Sequence, residues 1–309
     1  LARAAGAESP LRGSWHATGP PGAPEQAGGF GMALKDLIVH VDSSPACPAR
    51  LDLAVTLARE NDAHLTGLYV IAPAPIHQYA EADLGPQLIE AHDRYMREAA
   101  SEAERLFEQR LERSALKAEW RCVEGNVSDV VTLNARYADL AIVGQRDAER
   151  HDPGTAPELP EHVVLDVGRP VLILPHAGNF PTVGERVIVA WKANRGGARA
   201  VNDALPFLKK AKQVLVLAVD TRDGISGHGD IPGADISRHL ARHGVEAEAA
   251  EVAAEDVSVG EMLLSRAADF AADLLVVGAF GRPRWRSLVL GGVTRHLLSH
   301  MTLPVLMSR

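Results

Sequence analysis

Apolar residues along the first half of the chain fall into two alternating patterns. Short runs with little polar alternation, the way strands buried on both faces of a parallel sheet read, occur at Leu37 to Val41, His64 to Ile71, Leu140 to Val143 and Val171 to Leu174, with a further strand expected around Ala118 to Val123. Between them lie stretches with helical spacing: Ala49 to Ala58, Pro86 to Arg113 and Ser128 to Arg136. On the long one, Leu88, Ile89, His92, Met96, Ala99, Ala103, Leu106 and Leu111 recur every three or four positions, which marks one buried face. Strands alternating with helices predict parallel pairing through right-handed crossovers.

The same order returns in the second half. Strands are expected at Val187 to Trp191, Val214 to Val219, Val245 to Ala250, Leu274 to Val277 and Val305 to Met307, with helices at Ala198 to Lys210, Ala234 to His243, Val259 to Ala271 and from Thr294 onward. ADLAIVG at Ala138 to Gly144 matches ADLLVVG at Ala272 to Gly278, and RPVLILP from Arg169 matches LPVLMSR from Leu303, both at an offset of 134 positions. An internal repeat of this kind defines the architecture. The expectation is two tandem open, mostly parallel five-stranded sheets with helices on both faces, Rossmann-like, taking ligand at the carboxyl ends of strands. Residues 32–175 form the first unit, 176–185 a linker with prolines and glycines, and 186–309 the second. Residues 1–31, rich in Gly, Ala and Pro, lack the apolar surface to fold and are expected to be disordered. Because Met32 precedes the first strand, they read as an upstream extension or an over-called start.

Composition narrows the partners. The 309 residues, 46% hydrophobic and 23% charged, suit two ordinary domains. A net charge of -8 argues against general nucleic-acid binding, which needs a broad basic face. No apolar run reaches a membrane span. Cys47 and Cys122 are far apart and form no metal or redox spacing, which fits a reduced, cytoplasmic compartment.

Candidate chemistry concentrates between Gly278 and the last helix. A buried strand stops at Gly278, followed by Gly281, then Gly291 and Gly292 at the start of an amphipathic helical stretch carrying Thr294, Leu297 and Leu298. Glycines let the backbone approach an anion, and the amides and dipole of a helix N-terminus favour negative charge. Arg282, Arg284 and Arg286 sit in this segment, and no acid lies between Gly278 and Arg295. The spacing G-x-x-G-x9-G followed by a hydroxyl resembles the nucleotide loop of the universal stress proteins, and LGGVTRHLLSHMTLPVLMSR looks like the end of their two-domain members. One departure stands out: Gly292 follows Gly291 where that pattern has Ser or Thr, leaving Thr294 to offer a hydroxyl two residues later.

The resemblance implies an adenine nucleotide, ATP with or without Mg, bound by the second unit through Ala190, Trp191, Lys192, Val219, Gly278, Gly281, Arg282, Gly291, Gly292, Val293 and Thr294. It also implies pairing of the last strands, Val171 to Leu174 with Val305 to Met307, as a built-in dimer that covers two sheet edges; a further homodimer stays open. At the 134-residue offset the first unit places Asp147, Pro157, Glu158 and Pro160 where the second has Gly281, Gly291, Gly292 and Thr294. Acids there repel phosphate and prolines remove donors, so the first unit is read as having lost the cradle. The first strands differ in the opposite sense. The family ends this strand with an Asp near the nucleoside, and Asp42 keeps it, whereas Lys192 replaces it in the second unit with a donor-only cation. Lys192 either turns toward the phosphates or marks weakened nucleoside recognition.

Other residues carry bland alternatives. His296 and His300 have the spacing of a metal pair but no third ligand nearby, so they read as surface or partly buried histidines. His40 reads as a packed, hydrogen-bonded core residue, and Trp191 as a packing tryptophan as much as a stacking platform. Asp220, Asp223 and Asp230 could recruit a metal beside a bound nucleotide. No Walker motif, nucleophile elbow or kinase signature is present. Two function classes follow: a nucleotide-binding stress-response protein that acts through protein partners, or a scaffold whose loop binds nothing; a slow nucleoside triphosphatase is a third.

Overall fold

The computed structural model describes residues 33–74, 85–112, 114, 116–147, 149–150, 152–156, 158–219, 233–252, 258–279, 281–284 and 287–309. In the first repeat the order is β1 (Asp36–Val41), α1 (Cys47–Asn61), β2 (His64–Ile71), α2 (Gly85–Leu111), β3 (Ala118–Glu124), α3 (Val127–Ala135), β4 (Leu140–Gly144), α4 (Leu159–Asp166) and β5 (Val171–Leu174). The second has β6 (Arg186–Trp191), α5 (Arg195–Leu208), β7 (Gln213–Val219), α6 (Ala234–Arg242), β8 (Glu248–Val252), α7 (Val259–Asp269) and β9 (Leu274–Gly278). After β9 come a hairpin of β10 (Gly281–Arg284) and β11 (Ser287–Leu290), then α8 (Gly292–His300) and β12 (Val305–Ser308).

The strands of the two repeats form one ten-stranded sheet, ordered β3-β2-β1-β4-β5-β12-β9-β6-β7-β8. Neighbours within each repeat run parallel, and the repeats meet where β12 pairs antiparallel with β5, Leu306 opposite Leu172. Both junction strands are buried along their length. At about 1.5–3 kcal/mol for each large apolar side chain removed from water, Leu172, Ile173, Val305 and Leu306 make this a core and not a seam. Helices α1, α2, α5 and α6 cover one face of the sheet, and α3, α4, α7 and α8 the other, each layer over its own apolar core. Among the described residues no helix is long and apolar enough to cross a membrane.

The matched ADL sequences have a structural reason. Asp139 accepts from the amides of Lys35 and Asp36 at 2.8 and 3.0 Å, pinning the start of β1 beside β4. Asp273, its counterpart, accepts from Gly184, Glu185 and Arg186 at 3.1, 3.0 and 2.8 Å and pins β6 beside β9 in the same way.

Three local features depart from the sequence reading. Strand β8 lies three residues later than expected. Gly244 (φ 80°) leaves α6 in the left-handed region, and buried Val245 turns back to bond the Leu240 carbonyl at 3.0 Å, which makes Val245 the apolar anchor of a helix end instead of a strand residue. Helix α4 has no counterpart in the periodicity reading; its proline sits in the first turn, where the missing amide costs nothing. The segment after Gly278 is not an open loop: Gly281 to Arg284 pair antiparallel with Ser287 to Leu290. That pairing spends backbone groups the sequence reading left for phosphate. Residues 1–31, Pro157, Arg286 and Asp220, Asp223 and Asp230 lie outside the described residues.

Candidate functional site

In the second repeat the site elements converge at the carboxyl ends of β6 and β9. Asn194 caps α5 by accepting from the Gly197 amide at 2.8 Å. This draws the first turn of α5 onto β9, where three residues without side chains meet. A Cβ on Gly278 would stand 2.5 Å from the Gly197 nitrogen and 2.7 Å from the Gly196 oxygen. Helix and strand therefore touch backbone to backbone, closing the space beneath the strand ends. Ala190 and Trp191 are half-buried and pack on opposite cores, so Trp191 is at least partly a packing residue. Lys192 is exposed where β6 ends. The backbone of Val219 closes β7 opposite Val252 of β8.

The hairpin brings the two outer glycines of the pattern together. Its register places Gly281 opposite Leu290, one residue before Gly291. Gly291 is the N-cap of α8, in extended conformation, and as a glycine has no side chain with which to cap the helix. The first intrahelical bond is from Arg295 to the Gly291 carbonyl at 3.1 Å, so the amides of Gly292, Val293 and Thr294 have no partner within the helix. No acidic residue stands in that turn. Gly292 is exposed, with nothing within 4 Å of where a Cβ would go. Thr294 is 3% exposed, so it is not the solvent-facing hydroxyl that the pattern places after Gly291. For Arg282 only the backbone is described, on β10. The sequence-predicted residues thus divide: Gly278 lies against the first turn of α5, Gly281 and Gly291 to Thr294 lie at the start of α8, and Val219 sits two strands away from β9.

The first repeat presents a different arrangement at the matching place. Asp42 pairs with Arg50, Oδ2 to Nη2 at 2.7 Å, and its Oδ1 accepts from the Ser44 amide and hydroxyl at 3.0 and 2.6 Å. Burial alone would raise the Asp42 carboxyl, but Arg50, His40 and Ser44 hold it below the usual carboxylate range. His40 is buried with its Nδ1 3.6 Å from Asp42, and neither ring nitrogen has a hydrogen-bond partner of good geometry. His40 is the packed core residue expected, with the Gly154 backbone beside its ring; burial, then the Arg50 charge, push its pKa down to about 4 against the opposing pull of Asp42 and Gly154. A second cover comes from the β4–α4 connection, where the Ser43 amide bonds the Pro153 carbonyl at 3.0 Å and Gly154 packs on the Tyr69 ring. Asp152 there is itself paired with Arg150 at 2.9 Å. What remains is a cavity of about 120 Å³ whose walls include Asp42, Ser44, Gly144, Gln145 and His176.

Sequence reasoning missed Arg50 and Gln145. Arg50 was detectable, since it falls on the stripe of α1 shared by Cys47, Leu51, Ala54 and Leu57, where a charge is out of place. Gln145 gives no such signal. His296 and His300 stack at 4.3 Å, His300 Nδ1 lying 3.0 Å from the His296 carbonyl. Among the described residues no group of three His, Cys, Asp or Glu could hold a metal.

A doubly repeated α/β sheet with a glycine-framed helix N-terminus after the fourth strand of its second repeat defines the class. Two successive matches to the universal stress protein family, over residues 34–175 and 185–309, show that the chain belongs to that family. Among solved structures, a universal stress protein from Archaeoglobus fulgidus superposes with a TM-score of 0.65 at 17% identity, covering 89% of this chain and 98% of that one. A functionally unknown protein from Pseudomonas aeruginosa gives 0.59 at 14%, over 89% and 92%. A putative universal stress protein from the same species gives 0.57 at 14%, over 89% and 93%. At these identities the likeness speaks for the fold alone. No curated protein matches the sequence.

Proposed function

We propose that the second repeat binds an adenine nucleotide, ATP foremost, with its phosphates on the N-terminus of α8, and that the protein is a stress-response regulator acting through protein partners and not through catalysis. The observation that carries this reading is the uncapped first turn of α8 with Gly281 and Gly291 brought beside it. Amides without intrahelical partners and a helix dipole suit an anion, and the exposed Gly292 leaves room for one. A Mg ion bound with the nucleotide would neutralise phosphate charge; no side chain among the described residues is assigned to it. Calorimetry with ATP, ADP and AMP tests the reading. Saturable binding abolished by Gly281→Asp, the residue type at the matching position of the first repeat, supports it, and no binding at millimolar ATP overturns it.

A second reading, a scaffold that binds no nucleotide, is favoured by a specific contrast. Lys192 stands where the first repeat has the acceptor Asp42, and the backbone of α5 sits directly on Gly278. Failure of ATP binding together with retained capture of a protein partner selects this reading. Phosphate release above that of a Gly291→Glu control would select a triphosphatase instead.

A further inference from the structure

Arg50 is 1% exposed and enters the sheet from the buried face of α1. Its Nη2 meets Asp42 at 2.7 Å, its Nε donates to the His40 carbonyl at 2.9 Å, and Nη1 occupies the space directly over Gly144 where any other residue would carry a Cβ. We propose that Arg50 is a tethered occupant: it fills, from within the chain, a site for a planar cation between the ends of β1 and β4, and so keeps the first repeat closed to outside ligands.

Three surfaces make the site. The His40 carbonyl accepts from Nε along one edge of the guanidinium, and the Asp42 carboxylate lies against Nη2 as an ion pair, so a planar cation meets fixed negative groups on two sides. Gly144 supplies a floor with no side chain, on which a flat group can lie. Asp42 has its other oxygen taken by Ser44, so Arg50 is the cation that balances it. Charges taken this far out of water are held by being paired, because removing one partner leaves the other buried and uncompensated.

Comparison of the repeats shows that the gap between first helix and fourth strand is closed in both, by different means. In the second repeat Gly196 and Gly197 let the helix backbone fill it; in the first, Ala46 and Cys47 stand at the matching positions, and the Arg50 side chain fills it. Without that side chain the space over Gly144 would join the cavity of about 120 Å³ beside Asp42. The first repeat is then self-occupied, and only the second is left for a ligand that exchanges.

The test is a melting-temperature series on the full chain. Arg50→Ala is expected to melt well below wild type and to recover by several degrees, saturably, with methylguanidinium at low-millimolar concentration. Wild type should not respond, nor should either protein respond to tetramethylammonium, which has the charge without the donors. Should Arg50→Ala not fold, Asp42→Asn/Arg50→Ala removes the unbalanced carboxylate and supports a second comparison. Gly144→Ala should cost many degrees in wild type, where its Cβ meets the guanidinium, and little in the double variant, where that space is empty. A folded Arg50→Ala protein indifferent to methylguanidinium overturns the proposal, as do equal losses from Gly144→Ala in both backgrounds.

Discussion

The side-chain amide of Gln145 donates to the carbonyl of Leu298 at 2.9 Å, tying the end of β4 in the first repeat to the last turn of α8 in the second. Its oxygen accepts from the His176 amide at 3.1 Å. The junction is clamped reciprocally, since Arg309 donates at 2.7 Å to the Leu165 carbonyl in the last turn of α4. Each repeat thus supplies a donor to a helix C-terminus of the other, where carbonyls lack partners and the dipole favours a donor.

Gln145→Leu keeps the volume and removes these bonds. The Leu298 carbonyl then loses its buried partner, while the amide of the exposed His176 can turn to water, and stability should fall by about 1–3 kcal/mol. Urea unfolding followed by circular dichroism measures this. An unchanged midpoint would mean that the junction is held by the β5–β12 pairing alone.

Glycine positions should separate sharply. Gly278→Ala drives a methyl into the backbone of Gly196 and Gly197, which cannot move without shifting α5, and should cost ~3 kcal/mol or more. Gly260→Ala meets one side chain and no backbone, the ring and Cβ of half-buried His296, and should cost less. Thermal unfolding of the two variants ranks them.

At Gly292 the expected change is a gain. A side chain there enters open space, so Gly292→Ser should fold like wild type and place a hydroxyl beside the amides of the first turn of α8. If the nucleotide reading holds, ATP affinity should rise about tenfold by calorimetry, one added hydrogen bond to a charged group being worth roughly 1.5 kcal/mol.

Acid should weaken the first repeat through His40. The unfolded chain protonates this imidazole near its ordinary value of 6.5, while the native protein resists until about 4. Between those limits the unfolded state binds more protons, so stability falls as pH drops from 6.5 toward 4. The depressed Asp42 carboxyl adds a further loss at lower pH, where its pairing with Arg50 is undone. Urea midpoints across this range should slope less steeply in a folded His40→Asn protein than in wild type.

Much of the fold could be read from the residues because both halves write it twice. The offset of 134 positions holds in space: β4 and β9 match end for end, as do β5 and β12, and α4 and α8 end at equivalent residues. Strands buried on both faces have unbroken apolar runs, so β5 falls where its run does and β4 within one residue of it. The hairpin β10–β11 was not legible, because Gly281 and Pro283 weaken a strand reading and only pairing makes those residues extended. The cluster on which Asp42 depends was half-legible. Asp42 follows from position in the repeat, but its partner comes from a helix eight residues on, and nothing in the spacing says which way a long side chain turns. The cap of α8 is a matter of what is missing beside Gly291, which a sequence shows only once the helix start is known.

Because β5 and β12 run in opposite senses, the strands of one repeat end on the rim of the sheet where those of the other begin. The mouth sealed by Arg50 and the helix end at Gly291 consequently look out in opposite directions. A large molecule seated over one of them would leave its twin facing solvent, so a protein that reads the ligand state of the second repeat need not touch the first.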